Sequence, residues 1–160
     1  MKKKGLFYIL LSLLISACSS SKKIVSSTTK NNTASVADKI IWTAVTYKGT
    51  SYKYGGTTIN GMDCSGLIYT SFKQRGVAIP RVSYIMAQEG FKISLNKVKR
   101  GDLLFFRTAK TKNGINHVGL ITSVQGEIKF IHATSSKGVI VSSLSENYWK
   151  NAFVKAKRVL

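Results

Sequence analysis

The stretch from Tyr54 to Gly66 constrains this chain more than any other. Tyr54-Gly55-Gly56-Thr57-Thr58-Ile59-Asn60-Gly61 is too rich in glycine to be regular helix, and it leads into Met62-Asp63-Cys64-Ser65-Gly66. The next residues place Leu67, Ile68 and Phe72 on one helical stripe, with Gly76 as a C-terminal stop. This spacing predicts a helix from Ser65 to Arg75 with Cys64 at or near its N-terminus. Free backbone N–H groups and the positive end of the helix dipole favour a thiolate there. A buried structural cysteine satisfies the same pattern, since free cysteine is among the most buried residue types. A reactive thiolate needs a proton acceptor, and the chain holds two histidines, His117 and His132.

The other cysteine, Cys18, belongs to a different segment. Met1-Lys2-Lys3-Lys4 is basic, and Leu6 to Ile15 is apolar but too short to span a bilayer as a stable helix, so residues 1–17 read as a secretion signal. Its end, Ile15-Ser16-Ala17-Cys18, resembles a bacterial lipobox, in which the Cys thiol takes a diacylglycerol and becomes the new N-terminus. An ordinary signal or an uncleaved anchor would account for the same residues. Two or three acyl chains hold a protein stably at a membrane. Residues 18–34 then form a lipid-anchored tether rich in Ser, Thr, Asn and Lys, whose coil reaches roughly 20 Å root-mean-square. With Cys18 lipidated, Cys64 has no intramolecular partner, and its survival as a free thiol after export suggests that it is used.

The formal charge is +19, falling to +16 when the signal's three lysines leave. Such a surface suits polyanions, although a general lysine bias gives the same number. Export and the absence of any RNA or DNA motif argue against nucleic acid. The two histidines, one free cysteine and six acidic residues never fall in a zinc spacing, so the expectation is no metal and no cofactor.

The ordered domain is expected over residues 35–160. Ser35 and Asp38 fit a capping box before an amphipathic helix that ends at Gly49. A short helix is predicted around Ser83 to Glu89, stopped by Gly90. Beyond it lie short β-branched or aromatic runs at Asp102–Phe106, His117–Val124, Glu127–Ala133, Val139–Ser142 and Phe153–Val159. Helices first and strands after give an α+β fold with an antiparallel sheet.

One hairpin carries a geometric prediction. A two-residue turn at Gln125-Gly126 would set Val124 opposite Glu127, His132 opposite Gly119 and His117 opposite Thr134. Both imidazoles would then share a face, with Cβ atoms roughly 6–8 Å apart. A three-residue turn would send them to opposite faces. Gly119 would leave room for His132. Each histidine alone fits a core or surface role equally well. Together with Cys64 they compose a nucleophilic site in which His117 takes the thiol proton and His132 fixes its tautomer.

These residues carry a family resemblance. Asp63-Cys64-Ser65-Gly66, Arg100-Gly101-Asp102-Leu103, Asn116-His117-Val118-Gly119-Leu120 and Ile131-His132-Ala133 resemble, in order, the blocks of the NlpC-type cell-wall peptidases, papain-like cysteine hydrolases of bacterial peptidoglycan. The resemblance spans Tyr47 to Leu160. Gly49 to Gly56, Val139 to Ser143 and Tyr148-Trp149-Lys150 look most like the lipoprotein endopeptidases that cut D-alanyl–diaminopimelate crosslinks. It implies a papain-like fold, with N-terminal helices on a central antiparallel sheet. It also implies Cys64 as nucleophile, His117 as base, His132 as third polar residue and Tyr52 at the oxyanion, with Asp63 and Ser65 lining the substrate groove. Thr134 and Val82 depart from the family pattern, which leaves groove details open. From the residues alone, Tyr52 could serve packing, Asp63 could cap the Cys64 helix, and Arg81 could meet a stem-peptide carboxylate or a surface acid. Asp102 reads as structural. The implied protein is a monomeric lipoprotein on the periplasmic side of the outer membrane, hydrolysing peptidoglycan crosslinks. Cleavage of the D-glutamyl–diaminopimelate bond, or wall binding without catalysis, are the alternatives.

Overall fold

The computed structural model describes residues 34–109 and 114–160. The signal, the lipobox, Cys18 and nearly all of the tether lie outside them.

Four helices and eight strands follow one another as α1 (Val36–Thr46), β1 (Thr57–Thr58), β2 (Gly61–Met62), α2 (Cys64–Lys73), α3 (Ser83–Met86), β3 (Phe91–Ile93), β4 (Leu103–Phe106), β5 (His117–Ser123), β6 (Lys129–Thr134), β7 (Gly138–Ser143), α4 (Asn147–Ala152) and β8 (Phe153–Arg158). The first two strands form a small ribbon, and the other six form an antiparallel sheet ordered β3-β8-β4-β5-β6-β7. This is the α+β architecture expected from helices first and strands after.

Local chemistry sets the helix ends. Ser35 Oγ accepts the Asp38 N–H at 3.1 Å, capping α1. The Asp38 carboxylate also meets Arg100 Nη2 at 2.8 Å, tying the helix to the approach of β4. Helix α1 stops at Thr46 rather than running to Gly49, because Gly49 turns away to donate its N–H to Val139 O.

Side chains alternate between the two faces of the sheet. Leu103, Phe105, Val118, Leu120, Ile131 and Ala133 pack beneath α1 and α2. There Leu67, Ile68 and Phe72 of α2 are fully buried, each worth about 1.5–3 kcal/mol relative to exposure. Leu104, Phe106, Ile121, Phe130 and Ala156 form the opposite core with Leu144 and Trp149. Strand β4 is buried on both faces, which is why its sequence is an unbroken apolar run.

The β5–β6 hairpin corrects the turn prediction and keeps its consequence. Leu120 faces Ile131 and Ile121 faces Phe130, as a two-residue turn would require, but Ser123 faces Lys129 across a bulge. The connection is Val124–Ile128, because Glu127 and Ile128 leave the hairpin for the chain after β7. The Glu127 carboxylate accepts Ser143 Oγ at 2.5 Å and Ser145 Oγ at 3.0 Å, and Ile128 O accepts the Leu144 N–H at 2.8 Å. The bulge absorbs the extra residue, so the far end of the hairpin has the predicted register. Gly119 makes room for a different ring than expected. A Cβ there would lie 2.4 Å from Phe130, so the glycine accommodates Phe130 rather than His132.

Candidate active site

The surroundings of Cys64 follow from the first turn of α2. Asp63 is its N-cap and accepts the Gly66 N–H at 2.6 Å. Its other oxygen takes the Gly55 N–H at 2.7 Å, fastening the glycine-rich approach to the helix start. The Arg81 guanidinium closes on this carboxylate with Nη1 at 2.9 Å and Nη2 at 2.8 Å, while Nη1 also donates to Ser65 Oγ at 2.8 Å. Gly66 is required because a Cβ there would meet Gly56 O at 2.0 Å. Burial pushes the Asp63 carboxyl up, but Arg81 and the N–H groups of Gly66 and Gly55 outweigh it and hold it below the usual carboxylate range. Asp63, Ser65 and Arg81 therefore bond first to one another. The same side chains line a cavity of about 560 Å³ beside Cys64.

Cys64 opens α2 and is 8 % exposed, in a cluster with Leu67, Ile68 and Ile115. Its Sγ lies 4.0 Å from Asn116 O, immediately before His117. The expectation of a thiol poised as thiolate is corrected here. Burial pushes the Cys64 thiol up to about 11, and the Asp63 charge adds to this. The N–H groups of Val118 and Ser65 pull the other way without prevailing. At rest the thiol is neutral.

The histidines meet as the register requires. His117 Nε2 and His132 Nδ1 lie 3.0 Å apart, and His132 Nε2 lies 3.1 Å from Ser142 Oγ. His132 is fully buried. Burial lowers His117 to about 4; burial and then the neighbouring His117 lower His132 to about 3. Both rings are neutral at rest. Trp149 covers them, stacked on His117 at 5.2 Å between centroids and edge-on to His132 at 4.5 Å. Phe106 and Phe130 complete the cage.

Tyr52, Cys64, Asn116, His117, Ser142 and Trp149 all border a second cavity, of about 450 Å³. Tyr52, Cys64 and Asn116 border the 560 Å³ cavity as well, so the thiol sits where the two spaces meet. Burial, followed by the negative charges that Cys64 and Asp63 carry when ionised, raises the Tyr52 phenol, which keeps its O–H as a donor. The Cys64 N–H is in the first turn of α2, where no intrahelical acceptor exists. Asp102, read as structural, accepts the Lys99 N–H and pairs with Arg158 Nε at 2.8 Å.

Two members of the site were missed in the sequence. Ser142 was legible in principle: Phe130 faces it in the β6–β7 register, which makes Ser142 a diagonal neighbour of His132 on one face. Trp149 stood in the Tyr148-Trp149-Lys150 resemblance without a role, because α4 has six residues and no side-chain cap to place it.

The model of the NlpC/P60 family matches residues 49–158, which include every residue placed at the site above. The chain belongs to the NlpC/P60 family. Among its relatives is the murein DD-endopeptidase MepS/murein LD-carboxypeptidase of Escherichia coli, 37% identical over 126 residues, covering 78% of this chain and 64% of that protein. The gamma-D-glutamyl-L-lysine dipeptidyl-peptidase of Bacillus subtilis is 35% identical over 123 residues, covering 76% of this chain and 40% of its own. The chain thus spans less than two thirds of the length of either relative. A crystal structure of an NlpC/P60 protein from Bacillus cereus superposes with a TM-score of 0.70 at 29% identity, covering 78% of this chain and 40% of that one.

Proposed function

We propose that this NlpC/P60 protein is a cysteine peptidase of bacterial peptidoglycan that hydrolyses D-alanyl–diaminopimelate crosslinks. The observation that carries the reading is the His117–His132 hydrogen bond beside a cavity that also holds the Cys64 thiol. Similarity to MepS supports the choice of bond.

In this reading His117 uses Nδ1 as the base, because Nε2 is held by His132. Its own proton sits on Nε2 and is donated to His132 Nδ1. His132 then carries its proton on Nε2, toward Ser142 Oγ. Burial makes each charge costly alone, whereas thiolate and imidazolium stabilise one another. Proton transfer from Cys64 to His117 therefore accompanies attack. The sulfur forms a C–S bond to the acyl carbon, and the oxyanion meets Tyr52 O–H and the Cys64 N–H. The C–N bond breaks as His117 returns the proton to the leaving amine. Water, deprotonated by His117, then cleaves the thioester and restores the thiol.

The same reading includes a lipid on Cys18, holding the domain on the periplasmic side of the outer membrane as a monomer. Residues 15–18 (Ile-Ser-Ala-Cys) support it. Clickable fatty acid should label the parent in cells, and Cys18→Ala should abolish the label; equal labelling of both would rule the anchor out.

A second reading, cleavage of the D-glutamyl–diaminopimelate bond within one stem peptide, is favoured by similarity to the Bacillus subtilis dipeptidyl-peptidase. Mass spectrometry of muropeptides after digestion of purified crosslinked peptidoglycan separates the two. Crosslink cleavage converts dimers to intact monomers, whereas the alternative shortens the stems. Unchanged muropeptides, or an equal digest from Cys64→Ala, would overturn both.

A further inference from the structure

The two cavities that meet at Cys64 are chemically unlike, and the position of the base orders them. His117 borders the 450 Å³ cavity and not the 560 Å³ one. The group that accepts the thiol proton must hand it to the departing amine, so that amine leaves on the His117 side. The acyl half of the substrate then lies toward Asp63 and Arg81, and the leaving half lies in the cavity bordered by His117 and Trp149.

The far wall of that cavity is the β6–β7 turn, which contributes Ser135, Ser136 and Lys137. Lys137 is the one lysine or arginine among the cavity's described lining residues. The turn is built rather than loose: Lys137 donates its N–H to Thr134 Oγ1 at 3.0 Å, and Gly138, at φ +64°, packs where a Cβ would lie 2.1 Å from Thr50 O. The cavity's carboxylate, Glu146, forms no ion pair with Lys137. Its Oε1 takes the Ser143 N–H at 2.7 Å, and no ion pair among the described residues includes Lys137. Exposed Lys137 thus lines the space assigned to the leaving group, flanked by Ser135 and Ser136, whose hydroxyls can donate to an anion.

We propose that this turn is a leaving-group subsite, in which Lys137 binds the free carboxylate on the carbon that carries the departing nitrogen. The inference rests on the crosslink reading above and narrows it. In a D-alanyl–diaminopimelate bond the nitrogen belongs to an α-amino acid centre whose carboxylate is free. The terminal residue released by any carboxypeptidase has the same amine next to the same carboxylate. One cation on this wall therefore selects for both kinds of leaving group and against amines that lack an adjacent negative charge. Because the amine becomes good only as it is protonated, a carboxylate held one carbon away also places the nitrogen for His117.

The test uses the full chain and two crosslinked muropeptide dimers. They differ only at the carboxyl beside the scissile nitrogen, free in one and amidated in the other. The parent should cut the free acid with roughly tenfold or greater advantage in kcat/KM, an ion-pair-sized effect. Lys137→Gln should remove most of that advantage by slowing the free acid while leaving the amide's rate unchanged, and Lys137→Arg should restore part of it. Equal rates on the two dimers for the parent, or an equal loss on both in Lys137→Gln, would overturn the subsite while leaving the reaction standing. Failure of the parent to cut either dimer would overturn the crosslink reading, and the subsite with it.

Discussion

The two halves of the site are built from different materials. The half around Cys64 is polar: Asp63 gathers the N–H groups of Gly55 and Gly66, the Ser65 hydroxyl and the Arg81 fork around the start of α2. The half around the histidines is aromatic: Phe106, Phe130 and Trp149 enclose two neutral imidazoles whose ring nitrogens, among the described residues, meet each other and Ser142. A charged clamp fixes a backbone, because hydrogen bonds to a carboxylate set the direction of each N–H. An apolar cage fixes a protonation state, because burial disfavours any charge it cannot pair. The first half fixes the start of α2 that carries Cys64, and the second keeps two imidazoles uncharged beside the same cavity.

The comparison breaks most visibly at the shared atom. Cys64→Ala should lose roughly 10⁴-fold or more in turnover while retaining the parent's circular dichroism, since Cys64 is the one cysteine among the described residues. Muropeptide release followed by chromatography reads this directly. Within the aromatic half, His132→Ala should cost roughly 10- to 1,000-fold, less than the ~10⁴ attached to loss of an orienting carboxylate. His132→Gln or His132→Asn should recover part of it, since either offers His117 a carbonyl acceptor. Parent-like turnover in His132→Ala would dissolve the half altogether. Ser142→Ala removes one neutral hydrogen bond of about 1 kcal/mol, so a loss of roughly 3- to 10-fold in kcat is expected. Ser142→Thr should retain the hydroxyl and most of the rate.

The polar half reports through stability instead. Asp63→Asn withdraws the charge from a cap and from Arg81, and urea unfolding should show a loss of about 2–3 kcal/mol. Trp149→Phe should cost less in stability and more in activity.

Acid separates the halves by pH window. Unfolded histidines bind a proton below about 6.5, but His117 resists it down to about 4 and His132 to about 3. The unfolded chain therefore binds more protons across that interval, and stability falls as pH drops from 6.5 toward 4. Asp63 is lowered in the fold, so its contribution is complete above its unfolded value and fades only at lower pH. Melting temperatures should decline already between pH 6.5 and 4.5, and His117→Gln with His132→Gln should flatten that decline. A decline confined to pH below 4 in the parent would assign acid sensitivity to the carboxylates instead.

What could be seen in the sequence follows the same division. The Asp63-to-Gly66 segment was legible because capping and close glycine approach are local chemistry. The histidine pair was legible because strand register is periodic, and it survived a wrong turn only because the bulge before Ser123 offset the extra loop residue. Strand β3 was not legible: it has three residues, is mostly exposed, and exists through pairing with β8 more than sixty residues later. The α4 segment that delivers Trp149 is likewise fixed by what it packs against. The thiol's protonation was misread because helix position speaks for the thiolate, while burial, which opposes it more strongly, is a property of the assembled fold.

If Cys64 and the histidine pair act as one hydrolytic site, rapid acid quench of a reaction with a crosslinked muropeptide should trap the acylated protein. Intact-mass analysis of the parent should find the acyl half of the substrate attached through a thioester to the peptide containing Cys64. The adduct should be absent from Cys64→Ala and should form more slowly in His117→Ala. Crosslink hydrolysis by Cys64→Ala at the parent's rate, with no acyl group on Cys64 in the parent, would mean that Cys64 is not the nucleophile.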